Sequence, residues 1–114
     1  MMGQPSKQPD PIQLLRDDFR HHLDVFYARL KLAPPYHSVE KAIAALTTAL
    51  KAMSADEREC VVADPALQWQ YYQKAFVDSG LSLKHRGIIV GLIQSGQLHD
   101  LPDEYAAFLR VFTK

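Results

Sequence analysis

Apolar residues recur every three to four positions along most of the chain, with polar residues between them. In the first stretch these apolar positions are Ile12, Leu15, Phe19, Leu23, Phe26 and Leu30. In the second they are Val39, Ile43, Leu46, Leu50 and Met53. Such spacing puts each set on one face of an α-helix, whereas strand residues would alternate. The pattern therefore predicts a protein built from amphipathic helices.

Residues that begin or end helices separate these stripes. Starts are indicated by Asp10-Pro11, Ser38, Ser54, Asp64-Pro65, Ser82 and Pro102-Asp103-Glu104. Ser and Asp side chains accept hydrogen bonds from the amides that the first turn leaves unpaired, and proline has no amide hydrogen to be satisfied. Stops are indicated by Pro34, Pro35, Gly80 and Gly96, because proline cannot continue a helix and glycine adopts the left-handed conformation readily. The signals predict helices over about residues 11–32, 39–53, 55–63, 65–79, 83–95 and 102–113.

The fifth predicted helix differs from the others because it is apolar almost all round over residues 87–93. This composition is typical of a buried helix, so we expect it near the centre of the fold. Gly87 and Gly91 lie one turn apart in it and would allow another helix, internal or from a second subunit, to pack closely. The predicted core consists of Leu15, Phe19, Leu23, Phe26, Ile43, Leu46, Leu50, Trp69, Tyr72, Phe76, Ile89, Leu92, Ile93, Phe108 and Phe112.

We therefore predict an all-α fold, with a single compact bundle of five to six short helices over residues 10–114. Residues 1–9 lack apolar periodicity and are predicted to form a disordered arm. A chain of 114 residues supports one domain. The charges of the 13 basic and 13 acidic residues cancel. The net charge therefore does not attract the protein to nucleic acid or to an anionic membrane. With one cysteine and no secretory signal, a cytoplasmic location is expected.

A first candidate site lies in residues 16–24 of the first predicted helix. Asp17 and His21 are four residues apart, as are Asp18 and His22, and such pairs can bind a metal or transfer protons. Arg16 and His21 also show a spacing found in some helical ribonucleases, but two residues do not identify that family. Because no second ligand pair accompanies them, we predict no metal, cofactor or catalytic residue, and metal binding or RNA cleavage here is the weakest alternative.

A second candidate is a unit resembling a helix-turn-helix over residues 76–90. A turn at Gly80-Leu81-Ser82 precedes a helix that opens with Lys84, His85 and Arg86. In a DNA-binding unit of this kind the first residues of the second helix contact base edges. The apolar stretch that follows argues for a buried helix instead, so a DNA-binding regulator is the runner-up function.

The third candidate is the aromatic segment Gln68–Gln73. Between Ala66 and Phe76 the only charged residue is Lys74, which is unusually few for a helix with an exposed side. We expect Tyr71 to be at least partly exposed and predict a partner-binding surface formed by Leu67, Gln70, Tyr71 and Lys74. The favoured function is therefore a small non-enzymatic adaptor or regulator that binds another protein or a second copy of itself.

Overall fold

The computed structural model describes residues 10–112, which form six α-helices and one 3₁₀ helix with no strand. The elements are α1 (Pro11–Leu30), α2 (Tyr36–Lys51), α3 (Ala55–Ala63), α4 (Pro65–Val77), α5 (Leu83–Gln94), α6 (Asp103–Leu109) and the 3₁₀ helix η1 (Arg110–Phe112). The predicted all-α class is confirmed. The disordered arm predicted for residues 1–9 lies outside the described residues. Within the described range, no helix is both long and apolar enough to cross a membrane.

Most helix starts are capped as the sequence predicts. Ser54 and Glu57 form a reciprocal capping box: the Ser54 amide donates to Glu57 Oε1 at 2.9 Å, and the Glu57 amide donates to Ser54 Oγ at 3.2 Å. Asp64 accepts hydrogen bonds from two amides of the first turn of α4. The start predicted at Ser38 is wrong. Helix α2 begins at Tyr36, three residues before the predicted Val39, and its N-cap residue Pro35 forms no side-chain cap. Pro35 has the extended backbone of an N-cap residue, and the helix begins directly after it because proline is disfavoured in a helix interior.

The core is centred on α1, which packs against α2 and α3 and buries six side chains. The buried cluster also includes Tyr72, Ala75 and Phe76 of α4 and Phe108 of α6. Most of the predicted core residues are buried. The four exceptions, Trp69, Leu92, Ile93 and Phe112, are partly buried and pack against the cluster.

The central position predicted for α5 is wrong. Only Ile89 of this helix is buried, and its main packing partner is η1 at the edge of the fold. Leu83 is 84% exposed, and a Cβ added at Gly87 or Gly91 would have no neighbour within 4 Å among the residues that the structure describes. Among residues 10–112, the apolar composition of α5 therefore does not reflect burial, and no described element packs closely against the two glycines.

Candidate interaction surface on helix α4

Helix α4 separates the core from a surface of low charge. Its inner face is buried, and the helix packs against α2, α3 and α6. Gln70 and Lys74 are exposed on the opposite side, and Tyr71 is partly buried between the two faces. The partial exposure predicted for Tyr71 is confirmed. Because its ring still packs against the core cluster, Tyr71 is held in place without being covered.

An open groove of about 380 Å³ runs between α2 and α4. On the α2 side, small residues (Ala45, Thr48 and Ala49) form the wall. On the α4 side the wall is formed by Tyr71, Lys74, Ala75 and Asp78, with Leu46 also lining the groove. The small side chains on the α2 side leave the groove open beside Tyr71. The groove can therefore accept an apolar side chain from outside.

A second open groove, of about 590 Å³, lies on the other side of α4. Gln70, Gln73, Lys74 and Val77 of α4 line it together with Ala107, Arg110 and Val111 from the C-terminal elements. Its lining includes two basic residues, Lys74 and Arg110, and no acidic residue. Lys74 lines both grooves, so the exposed edge of α4 forms the ridge between them.

The structure brings three of the four predicted partner-binding residues to this ridge. Gln70, Tyr71 and Lys74 line the grooves, whereas Leu67 is partly buried against the core and lines neither of them. Residue spacing within α4 did not indicate the outer walls, which are supplied by α2 and by the C-terminal elements. The cluster of small residues in α2 was the only sequence feature that indicated the α2 wall. Periodicity within one helix does not show which helix lies beside it.

The candidate pair Asp18 and His22 belongs to a partly buried cluster where α1, α4 and α6 meet. His22 Nε2 lies 3.4 Å from Asp18 Oδ2, and His22 Nδ1 lies 3.3 Å from the Tyr105 hydroxyl. The imidazole also packs edge-on against Trp69 at 4.8 Å between ring centres. These contacts use both ring nitrogens of His22 within the protein. The geometry favours a structural role in joining the three helices.

The rest of the 16–24 segment stays apart from this cluster. Asp17 and His21 are exposed, and Arg16 is partly buried with its nearest hydrogen-bond contact at Gln13, 3.5 Å away. Within residues 10–112, no three histidine, cysteine or acidic side chains are grouped to hold a metal ion. Metal binding or RNA cleavage at this segment stays an untested alternative.

The basic first turn of α5 is placed at the surface. Lys84 and Arg86 are exposed, and His85 is partly buried, with its amide donating to the Ser82 cap at 3.3 Å. Gly80 adopts the left-handed conformation expected of a turn glycine, with φ of 66°. In a helix-turn-helix the two helices pack on each other, whereas α5 makes its main contact with η1. DNA binding by residues 76–90 stays a prediction.

Comparison of the chain with known protein families, with curated proteins and with solved structures gives no match.

Proposed function

We propose that this protein is a small, non-enzymatic adaptor or regulator that binds a segment of another protein across the exposed edge of α4. The supporting observation is the pair of grooves that flank this edge and share Lys74 as a lining residue. Because Cys60 is free and exposed, the chain suits a reducing compartment, and we place the adaptor in the cytoplasm.

The α2–α4 groove supplies the apolar part of the proposed contact. Tyr71 offers a large ring with few rotatable bonds, so ordering it costs little entropy when a partner binds. It is already packed on one side, which further limits that cost. The residues across the groove are small, so an aliphatic or aromatic partner side chain can lie flat against the ring.

The second groove supplies the polar part. Lys74 contributes positive charge, and Gln70 and Gln73 contribute hydrogen-bonding groups that are less costly to desolvate than charges. A partner carboxylate is the complementary group. The proposed ligand is therefore an acidic amphipathic segment, with one apolar side chain directed at Tyr71 and at least one carboxylate near Lys74.

The partner can be identified by placing a photoreactive amino acid at position 71 and crosslinking in a lysate of the source organism. The same residue at position 59, an exposed site on α3, is the matched control. A partner captured at position 71 and not at position 59 is then purified. Its affinity is measured by titration calorimetry for the wild-type protein and for variants.

Tyr71→Ala is expected to weaken that affinity by about 5- to 30-fold, corresponding to about 1–2 kcal/mol for a moderate hot spot. Lys74→Glu should weaken it further, because the new carboxylate repels the acidic segment, and Glu59→Ala should not change it. Circular dichroism checks that each variant is folded. Unchanged affinity in a folded Tyr71→Ala protein would remove the α4 surface as the binding site.

A further inference from the structure

The outer side of α5 lacks the charge pattern of an ordinary solvated helix face. Leu83 is 84% exposed and Ile88 is 37% exposed. Gly87 and Gly91 are exposed one turn apart between them, and Lys84 is the nearest charge. Solvated helix faces usually carry long polar side chains. On this face the backbone is exposed at Gly87 and Gly91, with Leu83 on one side and Ile88 on the other.

The contacts of residues 10–112 do not explain the two glycines. A Cβ at either position would meet nothing within 4 Å in the described part of the chain, so none of the described elements needs the space. Neither glycine has a positive φ, unlike Gly80 and Gly96, so the backbone does not require glycine either. Glycine nevertheless destabilises a helix relative to alanine. A close approach by a helix from outside the monomer would explain both positions.

The charges of α5 indicate the direction of that approach. Lys84 and Arg86 lie in the first turn, where the helix dipole is positive and disfavours cations. The first turn carries no acidic residue, and the last turn carries no basic residue. An antiparallel partner with the same sequence would bring its carbonyl end beside Lys84, and its own lysine beside the carbonyl end of α5. A second copy of α5 is therefore electrostatically complementary to this face.

We propose that the protein forms a symmetric homodimer in which the α5 helices of two copies pack antiparallel through this face. With the two-fold axis at the level of Ile89, Gly87 of one copy lies opposite Gly91 of the other, and Lys84 lies opposite Gln94. The arrangement is self-complementary, as a two-fold interface must be. It involves neither groove beside α4, so it goes beyond the proposed function.

The expected dimer is weak. A helix of 12 residues is about 18 Å long, and a single crossing of two such helices buries less than the roughly 1,200 Å² of the smallest stable interfaces. Sedimentation of the full chain, from about 1 µM to about 1 mM, should show a reversible monomer–dimer equilibrium with a dissociation constant in the upper part of this range.

The decisive variants should stabilise the monomer and weaken the dimer together. Gly87→Ala combined with Gly91→Ala should raise the melting temperature of dilute protein, since alanine favours the helix and fits without contact, and should weaken association at least tenfold. Lys84→Glu should act in the same two directions, because an acidic residue suits the first turn but repels the carbonyl end of the second copy. Glu59→Ala on α3 is the control and should leave association unchanged.

Three results would overturn the proposal. One is a monomer at every concentration, and another is a dimer that the paired alanine substitutions leave intact. The third is a monomer that binds duplex DNA in a salt-dependent manner lost in Lys84→Glu, which would assign this face to nucleic acid. Tyr71→Ala should not change self-association, so failure of this proposal is distinguishable from failure of the partner-binding surface on α4.

Discussion

The Tyr72 hydroxyl donates a hydrogen bond of 2.6 Å to Asp18 Oδ2 and thereby joins the buried face of α4 to α1. The Tyr72 ring is fully buried and stacks on Phe19 at 4.9 Å between ring centres. Asp18 is partly exposed and also contacts His22. The apolar core and the polar cluster at its edge are thus connected through one tyrosine.

Tyr72→Phe should lower the free energy of unfolding by about 1–2 kcal/mol, because the substitution keeps the ring packing and removes a hydrogen bond to a charged acceptor. Urea denaturation measures the change. A double-mutant cycle with Asp18→Ala isolates the interaction between the two side chains. A coupling energy near zero would show that the hydroxyl and the carboxylate contribute independently.

The buried tyrosines predict a loss of stability at alkaline pH. Burial raises the pKa of Tyr27, and burial together with the hydrogen bond to Asp18 raises the pKa of Tyr72, both above the ordinary value of 10.0. A raised pKa in the folded state stabilises the protein below the unfolded pKa, and this contribution is lost as the pH rises toward the folded value.

The free energy of unfolding should therefore fall steeply above about pH 10. Urea denaturation of wild-type protein and of Tyr72→Phe, each at about pH 8 and about pH 11, measures the fall. The variant should lose less stability than the wild type over this interval. An equal loss in both proteins would show that ionisation of Tyr72 does not contribute.

The fold was largely predictable because its helix boundaries are local. The Ser54 capping box and the Asp64 cap each act within three residues, so sequence spacing alone determines them. The position of α5 was not predictable in the same way. Its apolar residues show that burial is favourable, but they do not show whether the covering surface belongs to the same chain.

The candidate surface on α4 was predictable only on one side. The low charge around Tyr71 indicated an unusual exposed strip, and the structure places that residue beside a groove. The opposing walls from α2 and from η1 depend on how helices pack, which residue spacing within α4 does not specify. The same limit applies to His22, whose contacts with Trp69 and Tyr105 join residues far apart in the sequence.

His21 and His22 are adjacent in sequence but should respond differently to substitution. His21→Ala should change the free energy of unfolding by less than about 0.5 kcal/mol, since His21 is exposed. His22→Ala should cost about 1–2 kcal/mol, because it removes packing against Trp69 and the contact with Tyr105. Thermal and urea denaturation of the two variants provide the comparison. Equal effects would contradict the structural role assigned to His22.

The start of α3 should weaken at acid pH. Hydrogen bonds from the Ser54 amide and hydroxyl hold the pKa of Glu57 below its ordinary value of 4.5. A lowered pKa in the folded state contributes stability above the unfolded value, and that contribution is lost as the pH falls through the folded value.

Glu57→Gln keeps a side chain that can form a capping box but cannot carry the charge. Wild-type protein should therefore be more stable than Glu57→Gln at neutral pH, and the difference should disappear at about pH 3. Thermal denaturation at both pH values measures it, with Glu59→Gln as a control for the change in net charge. A difference between wild type and Glu57→Gln that persists unchanged at acid pH would show that the charge of Glu57 does not stabilise the helix start.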